Sequence, residues 1–139
     1  MKTLLLLAAL APVVAGAGTP APRTASDPFI RYARHALDTR LKDYPRARFR
    51  DAHVTVYGDT HRRVLCGRIN APNSYGAMTG WHDFVVGTND IGDPYLYEGT
   101  DDVTVAIIAQ RCTDGVQAEE QDVSGLIAAS APGAGAGVS

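Results

Sequence analysis

The sequence predicts an α+β domain over residues 27–113, in which an N-terminal amphipathic helix packs on a small antiparallel sheet and one disulfide forms. Three observations predict this fold. Apolar residues recur at helical spacing after Asp27, they alternate with a period of two from Phe49, and a chain with an export pattern contains two cysteines. With 13 basic and 15 acidic residues the formal net charge is −2. This balance argues against a nucleic-acid partner, which would need a clustered basic surface.

Residues 1–17 have the pattern of a signal peptide. Lys2 precedes an apolar run at residues 3–15, which closes in the small residues that signal peptidase recognises. An apolar run of about 13 residues is shorter than the ~20 that a membrane span requires. We therefore expect cleavage after Ala17, or alternatively after Ala15, and a periplasmic or secreted protein with no membrane span. The small, polar and proline-rich residues 18–26 are expected to form a flexible leader.

Export determines how the two cysteines are interpreted. In an oxidising compartment, two cysteines in a small domain most simply pair with each other, which predicts a Cys66–Cys112 disulfide. The competing interpretation is a catalytic thiol, and pairing would exclude it. No motif in the sequence implies a cofactor.

The first predicted element is a helix that begins at Asp27 and Pro28. Asp is a favoured N-cap and Pro is favoured at the first helical position. The helix should end by Asp43 or Tyr44, because Pro45 disfavours a helical residue before it. Its apolar positions are Phe29, Ala33, Ala36, Leu37 and Leu41.

From Phe49 onward the alternation of apolar and polar residues predicts strands. The first strand has Ala52, Val54 and Val56 on its covered face. A turn at 58–60 follows it, and a loop occupies residues 72–80. Further strands are predicted at residues 63–71, 81–86 and 95–97.

Residues 103–112 have two conflicting signals. Their β-branched side chains, including Val103 and Val105, favour a strand. Thr100 and Asp101 instead favour the start of a helix. We predict a helix and keep a strand as the alternative.

The chain after Cys112 becomes rich in glycine, alanine and serine. It has too few large apolar side chains to order itself, so residues 114–139 are predicted to be a low-complexity, disordered tail. Residues 123–129 are expected to form a transient helix at most.

The most informative stretch runs from Cys66 to Phe84. It resembles the pattern C-G-x-[IV]-N-x-x-N-S-[YF]-G-x-x-x-G of an uncharacterised family of small exported bacterial proteins. In that family an N-terminal helix leads into an Arg-Phe-Arg-Asp-like segment, and a second cysteine lies near the domain end. Residues 48–51 and Cys112 occupy those places here. The resemblance covers residues 27–112 and implies the fold and the compartment, without a catalytic role.

Two interpretations of this stretch remain open. In a structural interpretation, Gly76 and Gly80 supply positive φ, and the polar side chains bond neighbouring amides in turns. In a functional one, amide, hydroxyl and aromatic groups on a rigid loop form a binding surface for a glycan or a peptide. The candidate binding residues are Asn70, Asn73, Ser74, Tyr75, Thr79 and Trp81.

We therefore predict an exported, non-enzymatic binding module whose partner is an envelope glycan or protein. One alternative is a small cell-wall-active hydrolase that uses His82, Asp83 or Ser74, and another is an enzyme inhibitor that presents residues 72–80. A pocket that holds His82 beside a carboxylate would favour the hydrolase, whereas a shallow aromatic surface would favour binding.

The sequence predicts no metal site and contains one arginine-rich run with two interpretations. The four histidines lack the spacing of paired ligands, and residues 89–93 fail the calcium-loop pattern, so no metal site is predicted. The arginine-rich run at residues 46–50 either contacts phosphates or acidic cell-wall polymers, or forms a solvated strand edge that discourages edge pairing.

Overall fold

A computed structural model describes residues 21–58, 62–114 and 116–129. The predicted signal peptide and most of the predicted turn at 58–60 lie outside these ranges. Within them, no helix is long and apolar enough to cross a membrane. The helices are α1 (Pro28–Arg40), α2 (Asp102–Cys112) and α3 (Ser124–Ile127), and a 3₁₀ turn spans Tyr44–Arg46. The strands are β1 (Arg48–Tyr57), β2 (Arg62–Asn70), β3 (His82–Thr88), β4 (Pro94–Glu98) and β5 (Gln117–Ala118).

The strands form one five-stranded antiparallel sheet in the order β4-β3-β2-β1-β5. The predicted antiparallel sheet with helices and one disulfide is confirmed. Cys66 and Cys112 are bonded, with their Cα atoms 5.8 Å apart. Strand β5 was not predicted, because two residues carry no periodicity that a sequence pattern can reveal.

Helix α1 covers one face of the sheet. The Asp27 carboxylate accepts hydrogen bonds from the backbone N–H groups of Phe29 and Ile30, which caps the helix as predicted. The helix ends at Arg40, before the predicted limit at Asp43 or Tyr44, because Leu41 is already extended. The main core on this face contains Ile30, Ala33, Ala36 and Leu37 of α1 with Leu65, Ile69, Phe84 and Val86 of the sheet.

Helix α2 lies against the opposite face, and its prediction as a helix is confirmed. The Asp101 carboxylate accepts a hydrogen bond from the N–H of Thr104, which is an N-cap. Ile108 is its one buried side chain, and Cys112 joins the helix covalently to β2. The helix therefore covers only the part of this face around Val64, Cys66 and Val85.

A β-bulge interrupts β1. The pairing with β2 shifts between Arg50 and His53, and Asp51 has a φ of 54°. Opposite the bulge, a Cβ on Gly67 would lie 2.8 Å from the Cα of Ala52, so only glycine permits this approach. The bulge keeps Ala52 in the core while Arg50 remains on the face that carries α2.

The prediction of a disordered tail at residues 114–139 is wrong for the described part of that tail. Val123 and Ile127 are buried in the main core. The Tyr44 hydroxyl donates a hydrogen bond to the carbonyl of Ile127, and the Val123 N–H donates to the carbonyl of Ala52. Few apolar side chains are enough here, because α1 and the sheet already supply the surface that buries them.

The prediction of a flexible leader at residues 18–26 is likewise wrong at Arg23. Its guanidinium lies 2.7 Å from a carboxylate oxygen of Glu119 and 3.1 Å from one of Asp27. The hydrogen bond from Arg23 holds the pKa of the Glu119 carboxyl below its ordinary value. The Arg23 backbone also exchanges two hydrogen bonds with the Gln121 side chain. The leader and the tail are therefore joined by hydrogen bonds and an ion pair. Local composition does not predict such a long-range contact.

Candidate functional site

The loop at residues 72–80 connects β2 to β3 and is held closed by Asn73. The side-chain oxygen of Asn73 accepts hydrogen bonds from the N–H groups of Tyr75 (2.9 Å) and Ala77 (3.1 Å). Its own N–H donates to the carbonyl of Ala77 at 2.8 Å. These bonds close the turn, and all three of them involve Asn73.

The base of the loop is fixed by two more candidate residues. The Asn70 side-chain oxygen accepts from the N–H of Gly80 at 3.0 Å, and the Thr79 hydroxyl donates to the carbonyl of Ala71 at 3.0 Å. Gly76 and Gly80 have φ values of 82° and 87°, the left-handed conformation that was predicted for them. The structural interpretation therefore accounts for Asn70, Asn73 and Thr79, and their role in ligand binding stays a prediction.

We expect Asn73→Ala to loosen the loop. The substitution removes the acceptor of two backbone amides, and a hydrogen bond of this kind contributes about 1 kcal/mol. Amide hydrogen exchange should become faster at Tyr75 and Ala77, while the sheet keeps its protection. Asn73→Asp retains an acceptor at the same place and is the matched control. Unchanged exchange in the alanine variant would show that the loop is ordered without Asn73.

Tyr75 and Ser74 lie at the tip of the loop. Tyr75 is 95 % exposed. The Ser74 hydroxyl accepts a hydrogen bond from the Lys42 ammonium at 2.7 Å, and Arg46 donates to the carbonyl of Gly76 at 3.2 Å. The segment between α1 and β1 thus supports one side of the loop through these two hydrogen bonds. The Tyr75 side chain remains exposed to solvent.

An open groove of about 530 Å³ lies between the loop and the 3₁₀ turn. Its volume falls in the range of small-molecule sites. It is lined by Pro45, Arg46, Ala47, Arg48, Asn70 and Met78. Two arginines and an amide make this groove polar, and the Asp43 carboxylate, 3.6 Å from the Arg46 guanidinium, partly offsets the charge of one arginine.

The groove continues onto a basic face, which we define as the part of the α2 side of the sheet that α2 leaves uncovered. Its residues are Arg48, Arg50, Arg68, Asn70, Trp81 and Asp83. Arg48 is the cross-strand partner of Asn70, and Arg50 is the partner of Arg68. Side chains of such partners lie on the same face of a sheet.

Trp81 and Asp83 complete the basic face. The Arg50 guanidinium lies over the Trp81 indole, 4.3 Å from the ring centroid. A carboxylate oxygen of Asp83 lies 3.7 Å from the Nε of Arg68. Of the candidate residues, Trp81 and Asn70 are thus on this face and Tyr75 is on the adjoining loop. Sequence reasoning missed Arg68, whose place beside Arg50 depends on the strand register.

The structure does not bring the hydrolase candidates together. A carboxylate oxygen of Glu98 lies 3.2 Å from the Nε2 of His82, and the Gly80 carbonyl lies 3.0 Å from its Nδ1. Both ring nitrogens therefore face acceptors, and none remains to activate a nucleophile. Asp83 points to the other face of the sheet, towards Arg68, and Ser74 is bonded to Lys42. His82 thus has a carboxylate beside it, as the hydrolase hypothesis requires, but His82 does not line the groove.

The described residues contain no group of histidine, cysteine, aspartate and glutamate side chains able to hold a metal ion. Comparison of the chain with protein-family models, with curated proteins and with solved structures found no match. The similarity to a family of exported proteins therefore remains a prediction from the motif.

Proposed function

We propose that this protein is an exported, non-enzymatic binding module that holds a glycan or a protein of the cell envelope against the loop at residues 72–80. The observation that carries the proposal is the exposure of Tyr75 at the tip of a loop whose backbone is already fixed. An exposed tyrosine gains contact area on binding, and it loses little conformational entropy because its side chain has few torsions and its backbone is already held.

The surroundings of the loop support binding over catalysis. The groove beside the loop is open and lined by arginine, amide and methionine side chains. The groups that a hydrolase would use lie apart, and His82 is held by Gly80 and Glu98. Neutral polar groups and cations beside an aromatic ring can orient a ligand without reacting with it.

Export is part of the same proposal. It rests on the signal-peptide pattern of residues 1–17 together with the Cys66–Cys112 disulfide, since such bonds persist in oxidising compartments. N-terminal sequencing of the mature protein should then begin at Gly18 or Gly16. A soluble product that retains Met1 would contradict export.

Tyr75→Ala is expected to leave the fold intact and to weaken binding. The side chain is almost fully exposed, so the melting temperature should stay within about 2 °C of wild type. Loss of an aromatic anchor at an interface typically weakens binding by about tenfold or more. The measurement is capture of glycans and proteins from a cell-envelope extract by the immobilised protein, with bound material identified by mass spectrometry.

Ile91→Ala is the matched control, because Ile91 is 82 % exposed on a different turn of the sheet. This variant should capture the same molecules as the wild type. The proposal is contradicted if Tyr75→Ala also captures the same molecules in the same amounts. It is equally contradicted if the wild type retains nothing above the level of an unrelated protein.

A further inference from the structure

We infer that the ligand of this module is an anionic glycan. Its acidic groups bind the basic face, and the glycan extends along the groove towards Tyr75. This inference deepens the proposed function and rests on it. It is carried by an arrangement of charges on the sheet that folding alone does not favour.

Arg50 and Arg68 are direct cross-strand partners on β1 and β2. Like charges in such positions repel each other and destabilise a sheet. The Asp83 carboxylate offsets this repulsion only partly, since it lies 3.7 Å from Arg68 and is itself 67 % exposed. Among the described residues, no carboxylate comes within ion-pair distance of Arg48 or Arg50. An anion bound between the guanidinium groups of Arg50 and Arg68 would relieve the repulsion.

The positive charge is local, because the chain as a whole has a net charge of −2. The basic face adjoins the groove through Arg48, which belongs to both. Arg48 and Arg50 are two positions apart on β1, which places their Cα atoms about 7 Å from each other along the strand. A row of cations with this spacing suits a polymer with repeated acidic groups better than a single small anion.

Trp81 and Tyr75 favour a glycan as the polymer. The Arg50 guanidinium lies over the Trp81 ring, and Tyr75 is exposed at the tip of the loop whose Met78 lines the groove. Flat aromatic rings pack against the apolar faces of sugar rings, while arginine donates paired hydrogen bonds to carboxylate or phosphate groups. A single-stranded nucleic acid is less suited, because it would call for a series of free rings on which successive bases stack.

The test uses isothermal titration calorimetry of the disulfide-bonded protein with polymers that differ only in charge. Polygalacturonate carries carboxylates, and its methyl ester is the neutral counterpart. Dextran phosphate carries phosphates, and dextran is its neutral counterpart. At least one acidic polymer should bind at least about tenfold more tightly than its neutral counterpart, and the pair that shows this difference identifies the acidic group. Raising the salt concentration from 50 to 500 mM should weaken that binding by about tenfold or more, because salt screens exposed charges.

Arg48→Gln and Arg50→Gln should each weaken binding of the acidic polymer by about tenfold, the usual effect of losing a charge-assisted hydrogen bond. Arg31→Gln removes an exposed arginine from α1, on the other side of the sheet, and should bind like the wild type. The melting temperature of Arg50→Gln should stay within about 2 °C of that of the wild type, since the variant loses both the repulsion from Arg68 and the contact with the Trp81 ring. A purely structural arginine would give a lower melting temperature instead.

The inference is overturned if acidic and neutral polymers bind equally, if neither binds, or if an oligo(dT) strand binds more tightly than both acidic polymers. These results are separate from the test of the proposed function. If Tyr75→Ala loses envelope ligands although no acidic polymer binds, the binding module stands and the anionic ligand is wrong. If Tyr75→Ala loses nothing from the envelope extract, the proposed function itself fails.

Discussion

Replacing Ile127 with alanine is expected to lower the free energy of unfolding by about 2–5 kcal/mol, the usual cost of emptying a fully buried aliphatic position. The Ile127 side chain is fully buried, and its carbonyl accepts the hydrogen bond of the Tyr44 hydroxyl. In a domain of this size such a loss should lower the melting temperature by about 10 °C or more, as measured by circular dichroism or calorimetry.

Gly125→Ala in the same short helix is the matched control. A Cβ at Gly125 would meet no atom within 4 Å, so the new methyl group neither clashes nor fills a cavity. Because alanine favours helical backbone over glycine by about 1 kcal/mol, this variant should be as stable as the wild type or slightly more stable. If Ile127→Ala were as stable as Gly125→Ala, the docking of α3 on the core would be wrong.

Replacing both cysteines with alanine is expected to destabilise the protein by about 4 kcal/mol in the chain-entropy model, because the bond closes a long loop. The bonded residues are 46 positions apart in the chain. The loss of local stability should be largest at α2, because Ile108 is the one buried side chain of this helix and Cys112 attaches the helix covalently to the sheet. Hydrogen exchange should therefore show α2 losing protection before the sheet does.

Val103→Ala provides the control for the disulfide variant. Val103 is on α2 but is 70 % exposed, so its truncation should change the free energy of unfolding by less than about 0.5 kcal/mol. Treating the wild type with a reductant should reproduce the effect of the double alanine variant. Equal protection of α2 in oxidised and reduced protein would mean that packing alone holds this helix.

The candidate site was predictable only in part. The motif from Cys66 to Phe84 identified the loop, and its glycines and Asn73 have the turn chemistry that their residue types suggest. Tyr75 at the tip is exposed, as a binding surface requires. The pairing of Arg50 with Arg68 was not predictable, because one residue of shift in register would place them on different faces.

Elements whose signals are local were predictable from the amino-acid sequence. Asp27 and Asp101 cap the two long helices through hydrogen bonds to backbone groups two or three residues away, and the strands follow from alternation. The disulfide followed from the count of cysteines and the expected compartment. In each case the interactions that produce the structure lie within a few residues or involve the sole available partner.

The tail, the leader and the basic face depend instead on contacts between distant parts of the chain. Val123 and Ile127 are sparse in a glycine- and alanine-rich segment, and no local pattern reports that α1 and β1 offer them a buried surface. Arg23 is ordered by Glu119, which lies 96 positions away in the chain. Burial and cross-strand pairing depend on which distant surfaces meet, and composition alone does not contain that information.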